Sequence, residues 1–277
     1  MTNYLNKSYN WQTPEIVFVY DELPLWASVP GNLLLENIPY KKYQTVVDIG
    51  FGTGFPLLIL ARRLGSTCSI VGVDLWNDAI KKATKKATIT DINNLKVLNN
   101  NAGEMDISTD SVDLIVSNLG INNFENPKAV IQECHRILKP KGSLFLSSNL
   151  IGTFQAFYEV FEQVLMDFDD DEVLEKLHQH IEHRATIPKI KQLFESQGFK
   201  AEKTIVKEYS MYYADGSAFL NDYFIIMGFL QSWKAIIPKG KQEKYFQQIE
   251  NKLNELADEN GCLELIVPIC VLEFHVL

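Results

Sequence analysis

The chain has 277 residues, of which 46% are hydrophobic and 22% are charged, a balance typical of a folded globular protein. The formal net charge is −9 and there is no basic footprint in the sequence, which disfavours nucleic acid as the main ligand. The four cysteines are widely spaced and form no C-x-x-C pair, which favours a reducing compartment and argues against a zinc site. The first ten residues lack the apolar region of a signal peptide, and residues 218–237 are too polar to span a bilayer. We therefore expect a cytoplasmic protein without metal, membrane or nucleic-acid partners.

Residues 1–40 are predicted to form an N-terminal cap, of which residues 1–10 are loose. The rest of the cap is expected to consist of short elements joined by turns, because proline interrupts regular structure. The prolines concerned are Pro14, Pro24 and Pro30. The cap also carries Tyr20 and Trp26, which we interpret either as packing residues or as part of a flap over a ligand.

Residues 41–150 alternate between almost wholly apolar strands and amphipathic helices, the pattern of a parallel sheet covered on both faces. The predicted strands are 45–49, 69–73, 95–98, 112–116 and 143–147. The predicted helices begin at Pro56, after a cap at Asp78, and after the Asn126-Pro127 pair. The lysines at 81, 82, 85 and 86 share one of these helices and are interpreted as a solvated face.

Residues 151–277 are predicted to complete the same domain. Aromatic residues at helical spacing indicate helices at 154–168 and 171–183, and Thr186 can cap a third. Alternation at 199–213 predicts a half-buried strand, two helices follow at 217–236 and 241–259, and a last strand covers 263–276. A hairpin would suffice between these last two strands, so the insertion at about 214–261 is predicted to be a helical lid.

A glycine loop follows the first strand, with Gly50, Gly52 and Gly54 in the order G-x-G-x-G and Asp48 two residues before them. A nicotinamide cofactor would place its pyrophosphate on the following helix, and the Asp48 carboxylate would repel it. The ammonium and sulfonium charges of S-adenosylmethionine would instead be attracted. Asp74, at the end of the second strand, can hold two ribose hydroxyls with its two oxygens. These residues predict an S-adenosylmethionine site.

Residues 45–149 resemble the class I S-adenosylmethionine-dependent methyltransferases. The resemblance rests on Val46–Gly54, Val71–Asp74, Asn101-Ala102, Asp113–Asn118 and Ile137–Gly142. Asn101 departs from the family's usual aspartate, although its amide oxygen can still accept a bond from the adenine amino group. The resemblance implies a Rossmann-like α/β fold with a seven-stranded, mostly parallel sheet, helices on both faces and an antiparallel last strand. It implies cofactor contacts from the following residues: Asp48, Gly50, Phe51, Gly52, Gly54, Asp74, Leu75, Asn101, Ala102 and Asn118.

The methyl acceptor is predicted to be a small molecule, methylated at oxygen, nitrogen or possibly carbon by direct displacement. No residue type identifies a catalytic base, because alignment of donor and acceptor is the main requirement. Candidate substrate contacts are Tyr20, Trp26, Asn122, His183 and Tyr212. For Asn122 the alternative is an ordinary surface loop, and for His183 it is a solvated helix face.

Three alternatives stay open at this level. The chain could bind S-adenosylmethionine without catalysis, as a regulatory subunit, because its acceptor site has no diagnostic residue. It could be a nicotinamide-dependent oxidoreductase, against which Asp48 and the glycine spacing count. Aminopropyl transfer on the same fold is disfavoured, because no acidic diamine site is evident. The oligomeric state is not predicted.

Overall fold

The computed structural model describes residues 2–10, 13–21 and 24–277. Its strands form one seven-stranded sheet in the order β3-β2-β1-β4-β5-β7-β6. The strands are β1 Thr45–Ile49, β2 Ser69–Asp74, β3 Leu95–Asn99, β4 Val112–Asn118, β5 Leu138–Asn149, β6 Phe199–Tyr213 and β7 Leu263–Val276. Neighbouring strands among β1 to β5 are parallel, whereas β7 runs antiparallel to β5. The predicted Rossmann-like, mostly parallel sheet is confirmed.

The α-helices of the described residues follow the predicted alternation with the strands. They are α1 Pro14–Tyr20, α2 Pro24–Asn37, α3 Leu57–Leu64, α4 Asn77–Ile89, α5 Pro127–Ile137, α6 Gln155–Asp167, α7 Asp171–Glu182, α8 Ile187–Glu195, α9 Gly216–Asn221, α10 Tyr223–Ile225, α11 Gln231–Ile236 and α12 Gln242–Asn260. Asn126 and Thr186 cap α5 and α8 as predicted. Each side chain accepts a hydrogen bond from the backbone N–H of the residue three positions later, Ala129 and Lys189 respectively.

The chain divides into two compact units. The sheet unit comprises residues 13–149, 185–207 and 269–277, and the helical unit comprises residues 1–12, 150–184 and 208–268. The predicted boundaries at 40 and 150, and the role of 214–261 as a lid, stay predictions.

The core of the sheet unit is built on strands that are apolar on both faces. Val46, Val47, Ile115 and Val116 are fully buried although neighbouring residues point to opposite sides of the sheet. Burial on both sides means that helices cover both faces, as expected for parallel strands joined by helical crossovers. The carboxyl ends of β1, β2 and β4 are thereby fixed side by side, which positions the candidate site.

The core of the helical unit is aromatic. Phe157 of α6 stacks on Trp233 of α11 with 4.1 Å between ring centroids, and Phe219 contacts both rings edge-on or tilted. Tyr4 belongs to this core, which corrects the prediction that residues 1–10 are loose at this position, whereas residues 6–10 are exposed. Tyr4, in a 3-10 turn at Asn3–Asn6, is fully buried, and its hydroxyl donates to Glu250 of α12 over 3.0 Å.

Pro30 lies inside the continuous helix α2, where short elements joined by turns were predicted. A proline within a helix costs about 3 kcal/mol because it removes a hydrogen bond and crowds the preceding turn. Leu34 and Leu35 of the same helix are almost completely buried, and burial of each such side chain stabilises the folded state by about 1.5–3 kcal/mol. Packing therefore outweighs the local preference. The next residue, Gly31, is packed so closely that a Cβ there would lie 2.2 Å from the Phe55 ring.

The prediction of a single helix at 217–236 is also wrong, because the helix is interrupted at Asp222. The Asp222 backbone is extended, and its side chain accepts a hydrogen bond from the Phe224 N–H over 2.9 Å. Asp222 thus ends α9 and caps α10, and a π-helical turn at Ile226–Leu230 leads into α11. Asp and Asn favour such caps over helix interiors, since their short side chains compete for backbone groups.

Two glycines of the sheet unit provide a matched test of backbone and packing constraints. Gly54 and Gly65 both have positive φ, 110° and 73°. A Cβ at Gly54 would lie 2.8 Å from Leu58 and 3.3 Å from Ala83, whereas a Cβ at Gly65 meets nothing within 4 Å. We expect Gly65→Ala to lower the free energy of unfolding by about 1–3 kcal/mol, because φ 73° with ψ 179° is a backbone conformation that essentially only glycine adopts. Gly54→Ala should cost about 1–3 kcal/mol more, because overpacking is added to the strain of its positive φ. Urea unfolding followed by circular dichroism measures both, and equal losses would contradict the packing shown here.

Candidate functional site

The glycine loop lies where the carboxyl ends of β1 and β2 meet. Gly50 has φ 73°, and its N–H donates to the Val73 carbonyl of β2 over 2.8 Å. A Cβ at Gly50 would lie 3.5 Å from the Cα of Gly120, which follows β4. The positive φ explains why glycine occupies the position, since a Cβ would make only an ordinary contact there. The loop leaves backbone groups, and few side chains, lining this end of the sheet.

Asp48 is the most unusual group in the site. Its side chain has no exposed surface, and neither carboxylate oxygen forms a hydrogen bond with any described residue. Burial, together with repulsion from Asp74, raises the pKa of Asp48 well above its ordinary value. The Leu57 N–H at the start of α3 acts in the opposite direction, but it does not reach hydrogen-bond geometry. A buried carboxylate without a partner is costly, so the site is suited to a cation that would compensate it.

Asp74 holds the glycine loop with the same carboxylate that the sequence assigns to ribose. One oxygen accepts the Gly52 N–H and the other accepts the Trp76 N–H, each over 2.8 Å. Each oxygen retains one further lone-pair direction for a ligand hydroxyl. Asp74 therefore shapes the loop and remains able to bind a diol.

Apolar and aromatic side chains surround Asp74. Leu75 is 61% exposed directly beyond it. The rings of Tyr20 and Trp76 meet edge to face with centroids 5.1 Å apart, and a Cβ at Gly52 would lie 3.7 Å from the Tyr20 ring. Burial, and then the charge of Asp74, raise the pKa of the Tyr20 hydroxyl. Tyr20, predicted as a substrate contact, thus lies against the predicted cofactor loop. Asp78 is in the first turn of α4, where it pairs with Lys81 over 2.9 Å; it does not cap the helix.

Several predicted site residues use their polar groups within the protein. The Asn101 side chain accepts the Gly103 N–H over 2.9 Å, which folds the loop after β3, and Ala102 is buried. Asn118 is almost buried; its amide donates to the Ala27 carbonyl over 3.0 Å and accepts from Ser147 over 2.6 Å. Each of these amides keeps one donor or acceptor direction in reserve.

Phe51 and Asn122 have evident structural roles. The Phe51 side chain is buried and fills the space above Gly72, where a Cβ would lie 2.9 Å from its ring. Asn122 donates to Asn149 over 2.7 Å and accepts from Ser148 over 2.8 Å, joining the segment after β4 to the end of β5. Any contact of Phe51 with a ligand would therefore have to come from its backbone.

The remaining candidate substrate residues are Trp26, half-buried on α2 in the sheet unit, and His183 and Tyr212 in the helical unit. The His183 ring contacts the Gln179 carbonyl at 2.7 Å at the end of α7, and the exposed Tyr212 hydroxyl donates to Glu264 over 3.1 Å. Their assignment to a substrate stays a prediction.

The interpretation of the α4 lysines as a solvated face is wrong for two of the four. Lys82 and Lys86 both bind Asp21 of the cap, at 3.0 and 2.7 Å. Lys86 also donates to the Thr53 carbonyl, inside the glycine loop, over 3.0 Å. The i, i+4 spacing of the two lysines was visible in the sequence, but the partner lies 61 or more residues away and has no local signal.

Within the described ranges, no group of three or more His, Cys, Asp or Glu residues is arranged to hold a metal ion. A search of the same residues for a helix long and apolar enough to cross a membrane also finds none.

A family model described as a methyltransferase domain matches residues 40–209 of the 277. The demethylmenaquinone methyltransferase of Oceanobacillus iheyensis is 27% identical over 135 residues, covering 47% of this chain and 57% of the relative. The arsenite methyltransferase of Halobacterium salinarum is 28% identical over 104 residues, covering 38% of this chain and 27% of the relative. The chain thus spans about half of the length of the first relative and about a quarter of the length of the second.

A solved structure of a Bacillus halodurans protein inferred to be a methyltransferase has a TM-score of 0.59 and 17% identity. The alignment covers 89% of this chain and 98% of that one. At this identity the likeness concerns the fold, and it agrees with the sheet described above.

The buried Asp48 makes a testable contribution to stability. Its pKa is higher in the folded protein than in the unfolded chain, where an aspartate has a pKa of about 3.9. The folded state therefore binds the proton more tightly, and stability is lost as pH rises above about 4. We expect Asp48→Asn to remove this loss. Between pH 4 and 8 the free energy of unfolding of the unliganded variant should rise by about 1–3 kcal/mol relative to that of the wild type.

Asp113 supplies the control with the opposite sign. Partial burial opposes the change, but hydrogen bonds from Lys139 and from the N–H groups of Thr45 and Gln44 lower the pKa of Asp113. Its stabilisation is present at neutral pH and is lost as pH falls, so Asp113→Asn should lose stability relative to the wild type as pH rises. Urea unfolding across this pH range measures both variants. Parallel pH profiles for wild type and Asp48→Asn would contradict the uncompensated carboxylate.

Proposed function

The chain belongs to the family of S-adenosylmethionine-dependent methyltransferases, and we propose that it transfers the cofactor's methyl group to a small-molecule acceptor. The observation that carries this proposal is the buried Asp48 carboxylate, which no described residue compensates, beside the glycine loop. A cofactor with ammonium and sulfonium charges supplies what this position lacks. A pyrophosphate would add a like charge there, which counts against a nicotinamide cofactor.

The residues of the loop fit the cofactor in ways that can be assigned one by one. Asp48 would balance its positive charge, and Asp74 would accept hydrogen bonds from the ribose hydroxyls with the directions left free by Gly52 and Trp76. The exposed Leu75 would offer apolar surface to the adenine. The glycines and the Phe51 backbone would allow close approach of the methionine part.

Two further groups would complete the cofactor site. The Asn101 amide, beside the buried Ala102, would accept a bond from the adenine amino group. Asn118 is hydrogen-bonded to α2 and to β5, and its second N–H and second lone pair would be available to a ligand at the end of β4.

The bound cofactor supplies an electrophilic methyl group on a good leaving group. In the transfer, an acceptor lone pair forms the new bond to carbon while the carbon–sulfur bond breaks, and S-adenosylhomocysteine remains. The protein's part is to align the acceptor and exclude water, which can contribute on the order of 7–11 kcal/mol at best. We assign no catalytic base.

We propose an apolar or aromatic acceptor. Support comes from the name of the demethylmenaquinone relative, whose acceptor is aromatic. The arsenite relative suggests a different acceptor, but arsenic(III) is a soft centre that prefers thiolates. Three of the four cysteines of this chain, Cys68, Cys134 and Cys270, are buried, and burial raises the pKa of each thiol. We also propose that the protein acts in the cytoplasm.

Cofactor binding provides the direct test. We expect the wild type to bind S-adenosylhomocysteine in a calorimetric titration and to show no heat with NADH. Asp74→Asn should weaken binding about tenfold, since a charged acceptor of two hydrogen bonds is lost. Asp78→Asn is the matched control, because Asp78 lies four residues further on and pairs with Lys81 at the surface.

Turnover separates catalysis from binding alone. Transfer of labelled methyl from S-adenosylmethionine should yield a product with quinols, phenols or aromatic amines in a metabolite panel. Tight cofactor binding without product from any acceptor would favour a regulatory subunit. Binding of NADH in place of S-adenosylhomocysteine would contradict the proposal altogether.

A further inference from the structure

Helix α1 is fastened to α4 by charged groups. Lys82 reaches Asp21 over 3.0 Å and the Val17 carbonyl over 3.0 Å, and its ammonium lies 4.6 Å from the centroid of the exposed Phe18 ring. Lys86, one turn further along α4, binds the other oxygen of Asp21 over 2.7 Å. Two cations one turn apart therefore hold one carboxylate at the end of α1.

The same group of charges is connected to the glycine loop. Lys86 binds Asp21 over 2.7 Å and also donates to the Thr53 carbonyl over 3.0 Å, so one ammonium joins the end of α1 to the glycine loop. Partial burial works in the opposite direction, but the bonds from Lys86 and Lys82 lower the pKa of Asp21. Thr53 is buried between Gly52 and Gly54. Asp21, Lys82, Lys86 and Thr53 are called the loop clamp below.

The loop clamp fixes where Tyr20 lies. Tyr20 is the last residue of α1 and the immediate neighbour of Asp21. Its ring lies over Gly52 and against Trp76, and Asp74 is close enough to raise the pKa of its hydroxyl. A ligand held by Gly52 and Asp74 would therefore have Tyr20 as a neighbour as long as Asp21 keeps α1 in place.

We propose that Asp21 is a positioning residue for the cofactor: the loop clamp holds the glycine loop in its bound shape and keeps Tyr20 over it. This inference rests on the proposed function, since the ligand concerned is the methyl donor or its product. Asp21 is joined to the loop through Lys86, which donates to the Thr53 carbonyl, and it acts on the cofactor through that contact. Breaking the clamp frees both α1 and the loop, so the clamp controls the rate at which the cofactor leaves.

The dissociation rate of S-adenosylhomocysteine, measured by surface plasmon resonance on the full chain, tests this inference. We expect Asp21→Asn to raise it about fivefold, a modest factor because each pair is partly exposed to water. The wild-type rate should also rise between roughly 0.05 and 0.5 M NaCl, since salt screens the pairs, whereas the Asp21→Asn rate should change less. Asp78→Asn is the control, because it removes an ion pair from the same helix without touching α1.

A double-mutant cycle shows whether Asp21 and Lys86 act on the cofactor through their shared ion pair. Asp21→Asn and Lys86→Met should each speed dissociation, and the double variant should be faster by less than the product of the two single factors, because the shared pair is lost only once. If the wild type binds S-adenosylhomocysteine, two results would overturn the clamp and leave the proposed function standing. One is that the two substitutions multiply the dissociation rate independently, and the other is that Asp21→Asn leaves this rate unchanged. Absence of S-adenosylhomocysteine binding by the wild type would overturn both.

Discussion

The site depends on one electrostatic constraint: a carboxylate is held out of water at the end of β1 with nothing to balance it. Asp48 is inside the sheet, and the charge of Asp74, which raises its pKa further, has the same sign. Folding therefore leaves a deficit of positive charge at the carboxyl ends of β1 and β2. A cationic ligand would gain from this deficit and an anionic one would be repelled, which is why the proposed cofactor site favours a positively charged cofactor.

The hydrogen bonds around this deficit keep the surrounding backbone in place. Asp74 fixes the glycine loop from the β2 side, and the loop clamp fixes it from α4 and α1. Asn118 joins β4 to α2 on one side and to β5 on the other. The side chains that the sequence assigns to a ligand are thus also those that define the loops, and a substitution at any of them is expected to change shape and affinity together.

Much of the fold could be predicted from the sequence because its signals are local. Apolar strands and capped helices predicted a parallel sheet, and Asp48 with the glycine spacing predicted the cofactor class. The family resemblance of residues 45–149 implied the seven strands. The errors arise where distant packing overrides a local rule. Pro30 is tolerated inside α2 because Leu34 and Leu35 are buried, Tyr4 is ordered by Glu250, and Lys82 and Lys86 bind an aspartate in a distant part of the chain. The acceptor could not be predicted, since methyl transfer requires alignment of the acceptor and no particular reactive side chain.

Gly31 has a consequence for how this sequence can diverge. A Cβ at that position would lie 2.2 Å from the Phe55 ring and 2.9 Å from the Asn118 amide nitrogen. Helix α2, the residue after the glycine loop and the end of β4 therefore share one small volume. Among homologues, a larger residue at position 31 should be accompanied by a smaller one at position 55, or by the loss of the Asn118 amide. The cap and the cofactor loop would then evolve as a coupled pair, although they lie in separate parts of the sequence.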